Sequence, residues 1–421
     1  MIGSGVFLLP AGLAPFGWNG VFGWIVTIAG GLCLAATFAV LAHALPRAGG
    51  PYAYTQAAFG PFPAFLVAWS YWVSMWVGNA GIAIGAVSYL SSFAPGFAAV
   101  SGAPAAATCA LIWILTAINC LGVREAGQIQ FVTTILKLVP LVVVAVVAGI
   151  ILGRHGSAAL VPFHAADIHL PAIGAAATLT LWGLLGLESA TVPADKVRDP
   201  ARTIPRATII GTAATGLIYL VVCSAVTLLA PPEATARSSA PLADFVAGAV
   251  GGQAGGWAGQ AVALFAAISA LGALNGWIML QGELPCAMAR GGVFPAWLGK
   301  LSRRDTPVNA HVASSLLLTI VLLLNYTRSM AQLFTFIVLL ATTASLFAYL
   351  ACAAAALRLA KTKAIALAPA MHGVVALAGA YALWTIWGAG FEAVGWGLVL
   401  VALGIPIHLL MRRTAAMEAT A

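Results

Sequence analysis

Charge is what this chain lacks. Asp, Glu, Lys and Arg make up 7% of its 421 residues, against about 25% in soluble globular domains. A surface facing water over most of the chain is therefore excluded. Hydrophobic residues reach 62% and the mean hydropathy is +1.01, the composition of a polytopic protein whose solvent is the lipid bilayer. No long polar stretch leaves room for a soluble domain. Six cysteines are present, at 33, 109, 120, 223, 286 and 352, none in C-x-x-C spacing. They read as small packing residues, neither a disulfide framework nor a metal site. The seven histidines are scattered, and no His, Cys, Asp and Glu set has ligand spacing, so neither a metal nor a cofactor is implied. The formal charge of +8 is spread over short loops between apolar spans, which argues against nucleic acid as a partner. An enzyme inside the bilayer would need a nucleophile with a base, and no such constellation is readable.

Apolar runs long enough to span, or nearly so, are expected at 1–13, 21–45, 62–93, 104–121, 128–152, 171–193, 207–230, 255–289, 308–326, 331–357, 366–388 and 392–411. That makes about 12 helices with the first one truncated. Ala94-Pro95-Gly96, Pro231-Pro232 and Thr306-Pro307 mark turns between them. With the chain start in the cytoplasm, 15 of the 19 basic residues fall in inner loops and the tail. Only Arg154, Arg237 and Arg328 fall outside, and Lys137 lies within a span. Basic residues favour the cytoplasmic side, so the C-terminus is expected there.

Two of these spans are interrupted. Gly3-Ser4-Gly5 breaks the first, and Gly183 and Gly186 break the sixth just before Glu188. Glycine is about 1 kcal/mol worse than alanine inside a helix. Close helix packing explains either break alone. Their placement five helices apart matches an inverted repeat whose broken helices meet at a midplane site. Exposed N–H groups of one half-helix suit a carboxylate, and free carbonyls of the other suit an ammonium.

These residues carry a family resemblance. Ile2 to Pro10 resembles the first-helix motif of the amino acid–polyamine–organocation superfamily. Arg47-Ala48-Gly49-Gly50-Pro51-Tyr52-Ala53-Tyr54 with Phe59-Gly60 resembles its signature after helix 2. Leu181 to Ser189, Asp199-Pro200, Ile204-Pro205 and Gly291-Gly292-Val293-Phe294-Pro295 resemble its sixth helix, the loop beyond and the helix 8 exit. The likeness covers essentially the whole chain and is nearest to bacterial arginine/agmatine and putrescine/ornithine antiporters. It implies an all-α membrane protein of the leucine-transporter type, a 5+5 inverted repeat. Residues 1–152 would form the first repeat, incomplete at its N-terminus, 171–357 the second, and 366–411 two additional helices.

By the same resemblance, Ser4 and Gly5 receive a substrate carboxylate, and the carbonyls of Trp182 and Leu185 receive an α-ammonium. Trp182 covers the substrate, Trp277 stacks on it, and Asn79 hydrogen-bonds its distal group. Tyr71 lies two turns before Asn79 on the same face. Glu188 serves coupling or a response to pH. The alternatives are core or interfacial packing for each tryptophan and a bond between helices for Asn79. The implied function is a secondary transporter of amino acids or amines in a bacterial inner membrane, with protons as an open coupling partner. A homodimer is compatible with it. A non-transporting protein of the same fold is the rival, against which Ser4, Asn79, Trp182 and Trp277 all speak.

Three features depart from the nearest relatives. Lys137 lies well inside the fifth helix, where the arginine/agmatine antiporter has a small apolar residue. A cation there is a functional hypothesis by default. In proton-coupled, sodium-independent permeases of the superfamily a Lys stands in for a sodium ion, so Lys137 argues against sodium coupling and for a proton-coupled neutral amino acid symporter as the alternative. Glu283 sits toward the inner end of helix 8. Met1 falls where relatives carry an internal residue, and a start assigned too late is expected over a truncation.

Overall fold

The computed structural model describes residues 5–46, 49–94, 96–97, 100, 102–122, 126–191, 197–325 and 328–420. Among them every regular element is helical. The helices are α1 (Gly5–Leu13), α2 (Trp18–Ala44), α3 (Pro51–Phe59), α4 (Pro61–Ser91), α5 (Ala103–Leu121), α6 (Ala126–His155), α7 (Leu170–Leu181) and α8 (Pro200–Leu229). They continue with α9 (Pro232–Arg237), α10 (Pro241–Val250), α11 (Gly252–Arg290), α12 (Val308–Leu323), α13 (Met330–Lys361), α14 (Pro369–Gly388), α15 (Gly390–Ala402) and α16 (Gly404–Thr420). Many begin with proline in the first turn, among them α3, α4, α5, α7, α8 and α14. Proline has the right φ there and lacks an N–H that the first turn could not satisfy anyway. In α13 the start is fixed differently, by a capping box in which the Ser329 hydroxyl accepts from the Gln332 N–H and the Gln332 side chain accepts from the Ser329 N–H.

Among the described residues nine helices are long and apolar enough to cross a membrane, and Gly5–Phe16, Leu170–Leu184 and Val308–Leu323 are shorter apolar segments. These correspond to the twelve runs expected from hydropathy. The turns between them carry more structure than the sequence suggested. Residues 51–59 and 232–250 hold three short helices. At ten residues α10 is about 15 Å long, too short to span. It buries Leu242, Ala243, Phe245 and Val246 and packs against α11 and α1. The run at 392–411 is also broken, between Ala402 and Gly404.

α4 and α13 are the most completely buried spans, whereas α5 and the α15–α16 pair are among the most exposed. α4 packs on α13 and α11, and α2 packs on α8, α7 and α14. α1 lies between these groups, touching α4, α7, α8, α10 and α13. Loop contacts join segments far apart in the chain. Trp18 and Asn19 bond to Val161 and Asp167, and Arg328 pairs with Glu392. His43 meets Ala201, Arg304 meets Leu121 and Arg358 lies over Phe59.

Candidate functional site

The sixth span breaks where two glycines were read. α7 ends at Leu181, a tight turn covers Trp182–Leu184, and Leu185 is extended at φ −57° and ψ 142°. Gly186 then takes φ +94°, a left-handed conformation that glycine adopts without steric cost. A second tight turn, Ser189–Thr191, follows Glu188. The end of α7 thus turns its last carbonyls away from a helical ladder. The Trp182 carbonyl still accepts the Leu185 N–H at 3.2 Å, which leaves one lone pair for another donor.

The N-terminus of α1 meets this break. A Cβ placed on Gly5 would lie 2.4 Å from Nε1 and 2.7 Å from Cδ1 of Trp182, so only glycine permits this approach. Positions built on Gly78 and Gly81 of α4 fall 3.3 to 3.5 Å from the far ring of the same indole. Trp182 is therefore held between α1 and α4, and its Nε1 donor is buried without a partner among the described residues. Trp277 of α11 is half-buried, and its ring lies 3.3 Å from a Cβ built on Gly186. The structure brings Gly5, Trp182, Leu185 and Trp277 to one place between α1, α4, α7 and α11. Ser4 lies outside the described residues.

Glu188 is buried at 2% exposure. Its Oε2 accepts a short hydrogen bond from the Tyr349 hydroxyl of α13. The Tyr71 hydroxyl faces the same carboxyl without a hydrogen bond of good geometry. Ser189 Oγ is buried without a partner among the described residues. The cluster ties the segment after the break to α4 and α13 together. Tyr349 was missed in the sequence. The only available signal was a phenol deep in an apolar span, and a tyrosine there usually has a partner when buried.

Asn79 is fully buried and bonded to another helix. Its Nδ2 donates to Gln281 Oε1 of α11 at 2.7 Å, and its Oδ1 has no partner among the described residues. Gln281 Nε2 donates to Ser315 Oγ of α12 at 3.0 Å, and Ser315 pairs with Thr116 of α5 at 2.7 Å. Gln281 was not singled out in the sequence either. Lys137 is 2% exposed in α6, which packs on α11, α8 and α10. Lys137 and Glu188 are the buried side chains among the described Asp, Glu, Lys and Arg residues. Glu283, by contrast, is exposed. No group of His, Cys, Asp and Glu among the described residues could hold a metal.

Comparison with known proteins agrees with this architecture. A family model described as amino acid permease matches residues 1–409. The cadaverine/lysine antiporter of Escherichia coli K12 is 34% identical over 334 residues, covering 77% of this chain and 71% of the relative. The putrescine transporter PotE of Haemophilus influenzae is 29% identical over 413 residues, covering 97% and 93%. PotE of Escherichia coli K12 is 28% identical over 416 residues, covering 98% and 93%. The chain belongs to the amino acid permease family, and it is a secondary transporter of amino acids or amines, not an enzyme.

Proposed function

We propose that this permease exchanges cationic amines and amino acids by alternating access around the meeting point of α1 and α7. It would lie in a bacterial cytoplasmic membrane with its C-terminus inside. The observation that carries the reading is the packing of the Trp182 indole on Gly5, which sets the N-terminal end of α1 against the C-terminal end of α7. The first four N–H groups of a helix lack helical partners and carry partial positive charge, which suits a carboxylate. The last carbonyls of α7 carry the opposite charge and suit an ammonium. One α-amino acid backbone satisfies both. Trp182 supplies cover and a free indole donor. The Glu188–Tyr349–Tyr71 cluster closes the segment beyond the break, so opening there requires those contacts to part. Names of the relatives, a cadaverine/lysine antiporter and putrescine transporters, support a cationic substrate.

Lys137 favours a second reading, a proton-coupled symporter. A buried cation on the fifth span is costly in a bilayer and suits a coupling site. Counterflow separates the two. Liposomes preloaded with lysine should take up labelled cadaverine, and empty liposomes should not. Uptake into empty liposomes driven by a pH gradient supports the second reading. No transport of any amine or amino acid overturns both.

A further inference from the structure

Asn79 Oδ1 is an acceptor sealed from water with no donor to it among the described residues. Buried polar atoms are nearly always paired, so such an orphan asks for a ligand or another cause. Its polarity is set by the neighbouring amide. Gln281 turns its nitrogen to Ser315 Oγ, which leaves Oε1 as the end that meets Asn79. Asn79 answers with Nδ2, and Oδ1 is left over. Gln281 is itself held firmly, since its backbone carbonyl accepts from Ser314 Oγ at 3.1 Å, and Trp72 Nε1 donates to that same hydroxyl.

The pair also stands next to the substrate site. Asn79 follows Gly78, against which the Trp182 ring rests. Gln281 lies one turn beyond Trp277 on α11, on the same helix face, and Trp277 rests on Gly186 of the break.

We infer that Gln281 is a positioning residue that fixes the Asn79 amide with its carbonyl oxygen free for the substrate, making this subsite selective for a distal group that only donates hydrogen bonds. A primary ammonium has three donors and no acceptor. A methyl end would leave Oδ1 unpaired, and a carboxylate end would repel it. The inference rests on the reading of the chain as a transporter of amino acids or amines.

The test compares lysine with norleucine, which has the same carbon chain without the distal amine, in proteoliposomes. Gln281→Met keeps the volume and removes the acceptor. It should raise the KM for lysine about ten-fold, the loss of roughly one charged hydrogen bond, with kcat and the KM for norleucine unchanged. Gln281→Glu retains an acceptor for Asn79 and should restore lysine. Ser315→Ala releases Gln281 Nε2 and should weaken lysine selectively, which gives a second route if Gln281→Met does not fold. Equal effects on both substrates, or no effect on lysine in any variant, overturns the inference. So does a wild-type protein that carries norleucine as well as lysine, although the transporter reading then stands. A wild-type protein that carries neither overturns both.

Discussion

The Trp182 indole rests on Gly5, with Nε1 2.4 Å from where a Cβ on that glycine would stand. Gly5 belongs to α1 and Trp182 follows the end of α7, so this contact is the seam between the first and sixth spans. The neighbour is a large ring already buttressed by Gly78 and Gly81 on its other side, and it has little room to yield.

Gly5→Ala should therefore displace the indole. Overpacking of this kind costs about 1–3 kcal/mol. Exchange should fall about ten-fold or more, with a lower melting temperature in detergent. Wild-type exchange in Gly5→Ala would show that the seam is not as tight as drawn.

Removing the ring tests its role as a cover. Trp182→Leu should leave expression near normal and reduce exchange about ten- to hundred-fold, since stacking and cover over a bound amine are worth ~1–2 kcal/mol or more. Uptake unchanged across amines and amino acids would make Trp182 a packing residue.

Tyr349→Phe deletes the donor to Glu188 without changing shape. A buried acceptor left unsatisfied costs about 1–3 kcal/mol. Both melting temperature and exchange should drop, and Glu188→Gln combined with Tyr349→Phe should lose less than the sum of the single changes, because the two residues share one bond. Additive losses would show that the cluster is not a unit.

Lys137 bears on the driving force. Transport should ignore external sodium. If Lys137 exchanges a proton during the cycle, a pH gradient alone drives accumulation, and Lys137→Ala abolishes that drive. If it is a fixed cation, counterflow persists and the gradient does nothing. Uptake into liposomes with imposed sodium or proton gradients decides, and accumulation driven by sodium refutes both roles.

Topology is tested by a reporter active only in the periplasm, fused after Ala421. It should stay silent if the 15 basic residues expected in inner loops and the tail lie in the cytoplasm. Clear activity would reverse the orientation.

Much of the site was legible because glycine and charge are conspicuous in apolar helices. The Gly183–Gly186 break is where α7 stops, and Lys137 and Glu188 are indeed buried. Partners across helices were not legible. The phenol of Tyr349 could have faced any neighbour, and only the packing of α13 beside the break assigns it to Glu188. Asn79 showed a polar group without showing that Gln281 would take one end of it.

The sequence by itself determined the bilayer environment, the positions of the spans and the place where the sixth span breaks, because each depends on local composition and on the length of a helix relative to a membrane. Only the tertiary structure decided that Trp182 lies on Gly5, that α10 folds back on α1, and which hydroxyls and amides pair. Those are contacts between residues far apart in the chain, and a bilayer makes all apolar faces equally content with lipid. What selects among them is close approach at small residues and the need of each buried polar atom for a partner.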